Sequence, residues 1–218
     1  MTEKALTLAD QVLQQIQKSI ITGELEAGSK INEQSIAAKY GISRGPTREA
    51  LQILERQRLV VKAPHVGARV AQLSINELNE LYQLRSVLEG MACELTAARI
   101  TSSQLAELQA LLDKQKTALA AGDFDFQQQS ELDFHYLIIQ ICGNRHLQDT
   151  LLSSLYYLIR MYRFQTSDVQ RPTNAITEHQ NIVNAIADND GELANLLMRR
   201  HIEKGRRSTE LKLKELIK

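Results

Sequence analysis

The amino-acid sequence predicts a mainly α-helical protein, in which an N-terminal winged helix-turn-helix is followed by an all-α antiparallel helical bundle. Two observations support this fold class. Three helical patterns and two short β-branched runs follow one another within the first 70 residues, and this is the order of elements in a winged helix-turn-helix. From residue 74 onward the apolar residues recur only at helical spacing, and short connections between helices favour an antiparallel bundle. We therefore expect two domains, residues 1–73 and 74–218.

The first domain is expected to contain three helices and a hairpin. Apolar residues at helical spacing predict the helices over Leu8–Thr22, Glu33–Tyr40 and Ser43–Arg58. Ser43 suits the N-cap of the third helix, because a serine hydroxyl can accept from the unpaired N–H groups of the first turn. The glycine-containing stretch before the second helix has no period and is expected to be a turn. Two β-branched runs around Pro64 and Gly67 predict the hairpin.

The second domain is expected to consist of six helices. Ser74 followed by Glu77, and Thr101 followed by Gln104, are capping boxes that open the first two of them. The six segments run from Ser74 to about Arg99, Thr101 to Gly122, Asp123 to Cys142, Asn144 to Phe164, Pro172 to Ala187, and Asp190 into the basic tail.

Composition and charge narrow the class of protein. Hydrophobic residues make up 43% and charged residues 24% of the 218 residues, so packed cores are expected rather than disorder. No run of consecutive apolar residues is long enough to span a membrane, and the N-terminus lacks the apolar segment of a signal peptide. Cys93 and Cys142 lie in apolar helical patterns, which favours buried thiols in a reducing cytoplasm over a disulfide.

The charge is divided between the two domains. The net charge is zero overall, but residues 1–70 carry 10 Lys and Arg against 7 Asp and Glu. The remaining residues carry 16 against 19. A basic domain joined to an acidic one suits a protein that contacts nucleic acid phosphates with one end only.

The third helix has the residues of a DNA-recognition helix at its N-terminal turn. Arg44 and Arg48 are four residues apart, so both project from one face, as reading of guanine edges requires. Pro46 is tolerated in a first helical turn. In the hairpin, Gly67 could bring the backbone close to a minor groove, with His65 nearby. The alternative is that both arginines are solvated surface charges.

The segment from Gly23 to Val70 resembles the winged helix of GntR-type repressors, most specifically in the run SRGPTREAL. The resemblance covers about residues 8–70. It implies that Arg44 and Arg48 contact bases and that Gly67 is the wing tip. Two positions depart from the family pattern: Gln34 stands where related proteins often carry a DNA-contacting arginine, and Arg58 replaces a glycine, so we expect a differently shaped turn before the wing. The expected DNA-binding residues are Gln34, Ser43, Arg44, Thr47, Arg48, His65 and Gly67.

Three of the five histidines fall on three separate predicted helices. His135 follows Glu131 by four residues on one helix face, and His179 and His201 lie on two later helices. Imidazoles and a carboxylate from facing helices of a bundle could bind one divalent ion. The alternative is that each histidine is an ordinary hydrogen-bonded residue of a surface or core.

Residues 75–210 resemble the all-helical ligand-binding domain of the FadR-type branch of GntR regulators, called the FCD domain. Many members bind a metal through an Asp-x3-His pair and two further histidines, so the resemblance implies the ligands Glu131, His135, His179 and His201. Glu131 stands at the Asp position, whereas Asp133 is expected to face elsewhere. Zinc is the expected ion, with nickel or manganese as alternatives. The histidine set argues against a fatty-acyl thioester as the effector.

Arg85 occupies the position of an arginine that often lines the ligand cavity in these regulators. An arginine beside an open metal position suits a carboxylate, which can bind both. The alternative is an ion pair with Glu89, four residues later on the same helix.

Taken together, these features predict a cytoplasmic transcriptional regulator, not an enzyme, that binds palindromic operator DNA as a homodimer and responds to a small carboxylate. A metal-dependent hydrolase would use the same histidines but leaves the first 70 residues unexplained. A constitutive DNA-binding protein leaves the histidines unexplained.

Overall fold

A computed structural model describes residues 7–63, 67–166 and 172–217, except for the side chains of residues 63, 124–131 and 172–174. The helices are α1 (Leu8–Ile21), α2 (Glu33–Lys39), α3 (Arg44–Arg56), α4 (Ile75–Ala97), α5 (Ser102–Ala121), α6 (Phe124–Ile141), α7 (Arg145–Gln148), α8 (Tyr156–Gln165), α9 (Pro172–Ala187) and α10 (Gly191–Leu216). A π-helical segment, Asp149–Leu155, joins α7 to α8. The strands are β1 (Lys30–Ile31), β2 (Val60–Ala63) and β3 (Gly67–Val70). The predicted fold class is confirmed.

The first unit is a winged helix-turn-helix. Helices α2 and α3 are separated by the four residues Tyr40–Ser43, and α3 is followed by the antiparallel hairpin β2–β3. Strand β1 pairs with β3, giving the sheet order β1-β3-β2. The apolar stripes of α1 and α3 supply the core, where Ile16, Leu51 and Leu54 are at most 1% exposed. Burial of each such side chain stabilises the fold by about 1.5–3 kcal/mol.

The turn after α3 has the shape of a glycine turn. The sequence had predicted a different shape. Arg58 has a φ of 58°, which is the left-handed conformation that glycine adopts most easily. The Arg58 N–H donates to the carbonyl of Glu55, and the Leu59 N–H donates to the carbonyl of Leu54. These two bonds form a Schellman motif, which satisfies the last carbonyls of the helix. The arginine therefore keeps the shape of the turn at a conformational cost.

We expect Arg58→Gly to raise the free energy of unfolding by about 0.5–1 kcal/mol, because the left-handed conformation costs a side-chain-bearing residue more than it costs glycine. Thermal unfolding of the full chain measures the change. Arg56→Gly is the matched control: Arg56 is the last helical residue of α3, where glycine should lower the free energy of unfolding rather than raise it. A lower unfolding temperature for Arg58→Gly would contradict the argument.

The second unit is a helical bundle built around α4 and α10, which pack along much of their length. Their close approach is visible at Gly90, where an added Cβ would lie 2.5 Å from Asn195 Oδ1. Helix α6 packs on α4 and α5, and α9 packs on α4, α5 and α10. The predicted helix starts at Ser74 and Thr101 are confirmed, because each side chain accepts from a backbone N–H of the first turn. The bundle brings α6, α9 and α10 together around its core.

The division into compact units includes one feature that the sequence did not indicate. The first unit comprises residues 1–73 together with 153–165, and the second comprises 74–152 and 166–218. Helix α8 therefore packs on α1, and the Gln165 side-chain amide donates to the carbonyl of Ile20 at 2.9 Å. The π-helical segment contains the point at which the chain passes from one unit to the other.

Two further expectations concern the cysteines and membrane spans. Cys93 and Cys142 are buried, free thiols, as predicted. Burial, with the nearby Glu89 carboxylate and Cys142, raises the pKa of the Cys93 thiol well above its usual value. Among the described residues, no helix combines the length and the apolar character needed to cross a bilayer.

Candidate functional site

Three histidine side chains converge inside the second unit. His135 comes from α6, His179 from α9 and His201 from α10, and all three are buried, with exposed fractions of 1–4%. The His201 Nε2 lies 3.2 Å from the Nε2 of His135 and 3.2 Å from the Nε2 of His179. The candidate ligand atoms of the three rings all lie within 4.8 Å of one another.

Each histidine has a hydrogen-bonding partner on its other ring nitrogen. The Nδ1 of His135 lies 2.5 Å from Glu89 Oε2. The Nδ1 of His201 lies 2.8 Å from Glu178 Oε2, and the Nδ1 of His179 lies 3.4 Å from Gln115 Oε1. Because these oxygens accept hydrogen bonds, each Nδ1 carries the proton when the imidazole is neutral. Each Nε2 then presents a lone pair to the centre of the cluster.

This donor set fits a divalent metal ion. Three nitrogen lone pairs that face one another repel unless a cation lies between them, and a neutral imidazole with its second nitrogen bonded to a carboxylate or carbonyl is the usual protein ligand for zinc. The partner residues lie on three helices, with Glu89 on α4, Gln115 on α5 and Glu178 on α9. Sequence spacing did not identify them as partners of the histidines. Only the packing of α4, α5 and α9 brings them to the rings.

The ionisation of these groups agrees with that arrangement. Burial lowers the pKa of His135 to about 4, although the neighbouring Glu89 opposes the shift. Burial raises the pKa of Glu89, but Arg85 and His135 outweigh it and bring the value to about 2. Glu89 is therefore ionised and the His135 ring neutral near pH 7, which is the state that binds a metal.

Glu131, the predicted fourth ligand, lies in α6 one turn before His135. Its side chain is outside the described residues, so its part in the site stays a prediction. Asp133 is exposed, as expected for a residue that faces away from the cluster.

Arg85 forms the ion pair that the sequence left open as an alternative. Its Nε lies 2.5 Å from Glu89 Oε1, and both side chains are about 2% exposed. The guanidinium also lies 5.3 Å from the centre of the Tyr82 ring. Through Glu89, Arg85 is thus connected to His135. A role in effector binding stays a proposal.

The predicted DNA-binding residues of the first unit fall into two groups. Five of them are on the surface: Gln34, Ser43, Arg44, Arg48 and Gly67. Thr47 is not, because it is fully buried and its hydroxyl donates to the carbonyl of Ser43 at 3.2 Å. The Thr47 hydroxyl is therefore not presented at the surface in this arrangement, and a DNA contact by Thr47 stays a prediction.

The remaining residues of this surface are placed as follows. Ser43 occupies the N-cap of α3, but its hydroxyl does not make the expected capping bond. Gly67 begins β3 with a φ of 86°, a conformation that favours glycine. His65, at the predicted tip of the wing, lies outside the described residues. The Arg48 guanidinium contacts Glu33 of α2, with 3.0 Å between Nε and Oε2, a partner that the sequence did not predict.

A helix-turn-helix that exposes two arginines, joined in one chain to a helical bundle, defines a class of protein, the helix-turn-helix transcriptional regulators. Comparison with known families makes the assignment specific. Residues 8–70 match the bacterial regulatory proteins of the gntR family, and residues 80–204 match the FCD domain. The chain therefore belongs to the gntR family of bacterial regulatory proteins and carries an FCD domain. The family indicates a DNA-binding transcriptional regulator.

Individual relatives agree with the family. The chain is 29% identical to the uncharacterized HTH-type transcriptional regulator YdhC of Bacillus subtilis, over 84% of this chain and 83% of that protein. It is 30% identical to the "Probable D-xylose utilization operon transcriptional repressor" of Paenarthrobacter nicotinovorans, over 90% and 86%. Escherichia coli McbR/YncC shares the fold, with a TM-score of 0.76, 23% identity and coverage of 92% and 95%.

Proposed function

We propose that this protein is a sequence-specific repressor whose affinity for its operator is controlled by a small carboxylate bound beside a divalent metal ion in the second unit. The observation that carries the proposal is the buried histidine cluster, with three Nε2 atoms facing one another and each Nδ1 bonded elsewhere. A purely structural core has no need of three imidazoles at its centre, since burial of polar groups is costly.

The metal would be held by His135, His179 and His201, with Glu131 as a fourth ligand. Three imidazoles and one oxygen suit zinc, and nickel or manganese are alternatives. When bound, the ion supplies a Lewis-acidic position at which a carboxylate oxygen can coordinate.

The class of effector follows from charge. Three neutral imidazoles and the single carboxylate of Glu131 leave one positive charge of a divalent ion uncompensated, and Arg85 is already paired with Glu89 at 2.5 Å. An anion entering the site would balance the ion, and its second oxygen could compete with Glu89 for the Arg85 guanidinium, which binds carboxylates in a bidentate manner. A monocarboxylate or dicarboxylate metabolite therefore fits best.

Two copies of the chain are proposed to bind one palindromic operator, each supplying one α3. Dimerisation is supported by an exposed apolar face on α4, formed by Leu84, Val87 and Met91, which are 43–56% exposed and spaced three and four residues apart. Such a stripe on one helix is typical of an interface. We expect sedimentation of the full chain to give the mass of two chains, and a monomer at micromolar concentration would contradict the proposal.

Control would arise because the effector prefers one arrangement of the dimer, and thus one spacing of the two recognition helices. If that spacing does not fit the operator, DNA is released and transcription rises. Relatives named as repressors, such as the one from Paenarthrobacter nicotinovorans, support this direction.

The decisive experiment measures operator affinity against a panel of small carboxylic acids, with the metal-loaded full chain. We expect one acid to lower the affinity by about 5- to 150-fold, the usual range of allosteric coupling. Arg85→Lys is the test variant, because it keeps a positive charge beside the buried Glu89 but loses the planar pair of donors. It should bind operator normally and respond more weakly. The proposal fails if no acid shifts the wild-type affinity, and the Arg85 contact fails if the variant responds fully.

A further inference from the structure

The contact between Arg48 and Glu33 joins the two helices of the helix-turn-helix. Arg48 lies on α3 and Glu33 is the first residue of α2. Arg48 Nε lies 3.0 Å from Glu33 Oε2, and the two side chains are 63% and 34% exposed. We propose that Glu33 is a positioning residue that fixes the guanidinium of Arg48 and thereby sets the base specificity of the protein. This inference rests on the proposed function, in which Arg48 reads a base.

The geometry of the guanidinium explains how a carboxylate at this place can act. Arginine has one N–H on Nε and four on its two Nη atoms, arranged in a rigid plane. Because Glu33 is bonded at Nε, the group is anchored on the side of its stem. The outer Nη atoms are the donors that a bidentate contact with guanine O6 and N7 requires. A guanidinium fixed before binding loses less conformational freedom when the contact forms.

The charge of Glu33 acts in a second way. A carboxylate on the DNA-facing side of a helix-turn-helix repels phosphates and so weakens binding to every sequence. The lost affinity is recovered only at the correct base, where the guanidinium held by Glu33 makes its contact. Glu33 therefore favours discrimination over affinity, as repulsive elements do at specific interfaces. An exposed ion pair contributes little to fold stability. If Glu33 had only a structural role, its substitution would leave the base preference unchanged.

These two effects predict an unusual pair of changes for Glu33→Gln. Discrimination at the base read by Arg48 should fall about threefold to tenfold, a part of the roughly 5- to 150-fold that a bidentate contact provides. Affinity for unrelated DNA should rise, because one negative charge is removed from the surface.

The experiment selects binding sites for the full chain from a randomised duplex library and then measures binding to the selected site, to single-base variants and to an unrelated duplex at fixed salt. The proteins are the wild type, Glu33→Gln, Arg48→Ala and the double variant. Glu24→Gln is the matched control, since Glu24 pairs with Lys39 at 3.4 Å, is 62% exposed and lies in the same unit. Thermal unfolding checks that all variants fold.

The inference is supported if Glu33→Gln and Arg48→Ala lose preference at the same base, if the double variant loses no more than Arg48→Ala, and if Glu24→Gln keeps the wild-type preference. It is overturned if Glu33→Gln keeps that preference, or if it changes a different base, since Glu33 would then read DNA directly. A wild-type protein that enriches no sequence would instead overturn the proposed function.

Discussion

Replacing His179 with alanine is expected to abolish binding of the divalent ion proposed for the second unit, while the winged helix stays folded. His179 is 1% exposed, and its Nε2 lies 3.2 Å from the Nε2 of His201. The substitution removes one of the four proposed ligands, and we expect the weakened site to lose zinc to water and buffer. The metal content of the purified full chain, measured by elemental analysis, should fall from about one ion per chain to nearly none.

The matched control for this variant is His146→Ala. His146 lies in α7, is exposed and belongs to the same unit, so its loss should leave the metal content unchanged. Glu89→Gln should have an intermediate effect, a roughly 10- to 100-fold loss of metal affinity, because it weakens the bond that orients His135. Retention of a full equivalent of metal by His179→Ala would show that the three histidines do not form the site.

The second large effect is expected at the recognition helix. Arg44→Ala and Arg48→Ala should each weaken binding to the selected operator by about 1–3 kcal/mol, if each guanidinium reads one base. Both side chains are exposed on the first turns of α3. Fluorescence anisotropy with operator and scrambled duplexes at one salt concentration separates loss of base reading from loss of a phosphate contact.

Arg56→Ala provides the comparison, because Arg56 is exposed in the last turn of the same helix. This variant should bind both duplexes equally more weakly, or bind them as the wild type does. If Arg44→Ala and Arg48→Ala also lose the same affinity for both duplexes, the two arginines contact phosphates, and other residues of the surface must read the operator sequence.

Helix boundaries were predictable because the signals that fix them are local. Ser74, Thr101 and Gly122 act within one turn of their own helix, so their effect can be read directly from neighbouring residues. The strand β1 was missed because two residues are too short for a period, and its pairing partner β3 lies almost forty residues later. The π-helical segment was also missed, since an apolar pattern cannot distinguish it from a continuous α-helix.

Side-chain environment was harder to predict than position. Thr47 shares a short turn with the exposed Arg44 and Arg48, yet it points into the core of its unit. The sequence left two interpretations of Arg85 open, and the structure shows its ion pair with Glu89 within α4. The packing of α4 against α6 brings the same carboxylate to His135. The sequence indicated three histidines with a metal-binding pattern, but it did not indicate Gln115 or Glu178 beside them.

The order of the helices, the winged helix, the family and the three histidines could be predicted without coordinates, because periodicity, capping residues and motifs are properties of neighbouring residues. Which side chains meet depends on the folded chain: Glu89 contacts His135, Glu178 contacts His201, and Glu33 contacts Arg48. Each of these pairs joins residues on different helices, separated by 15 to 46 positions. Their distances depend on how helices pack, and packing is set by the summed burial of many apolar side chains rather than by any local pattern.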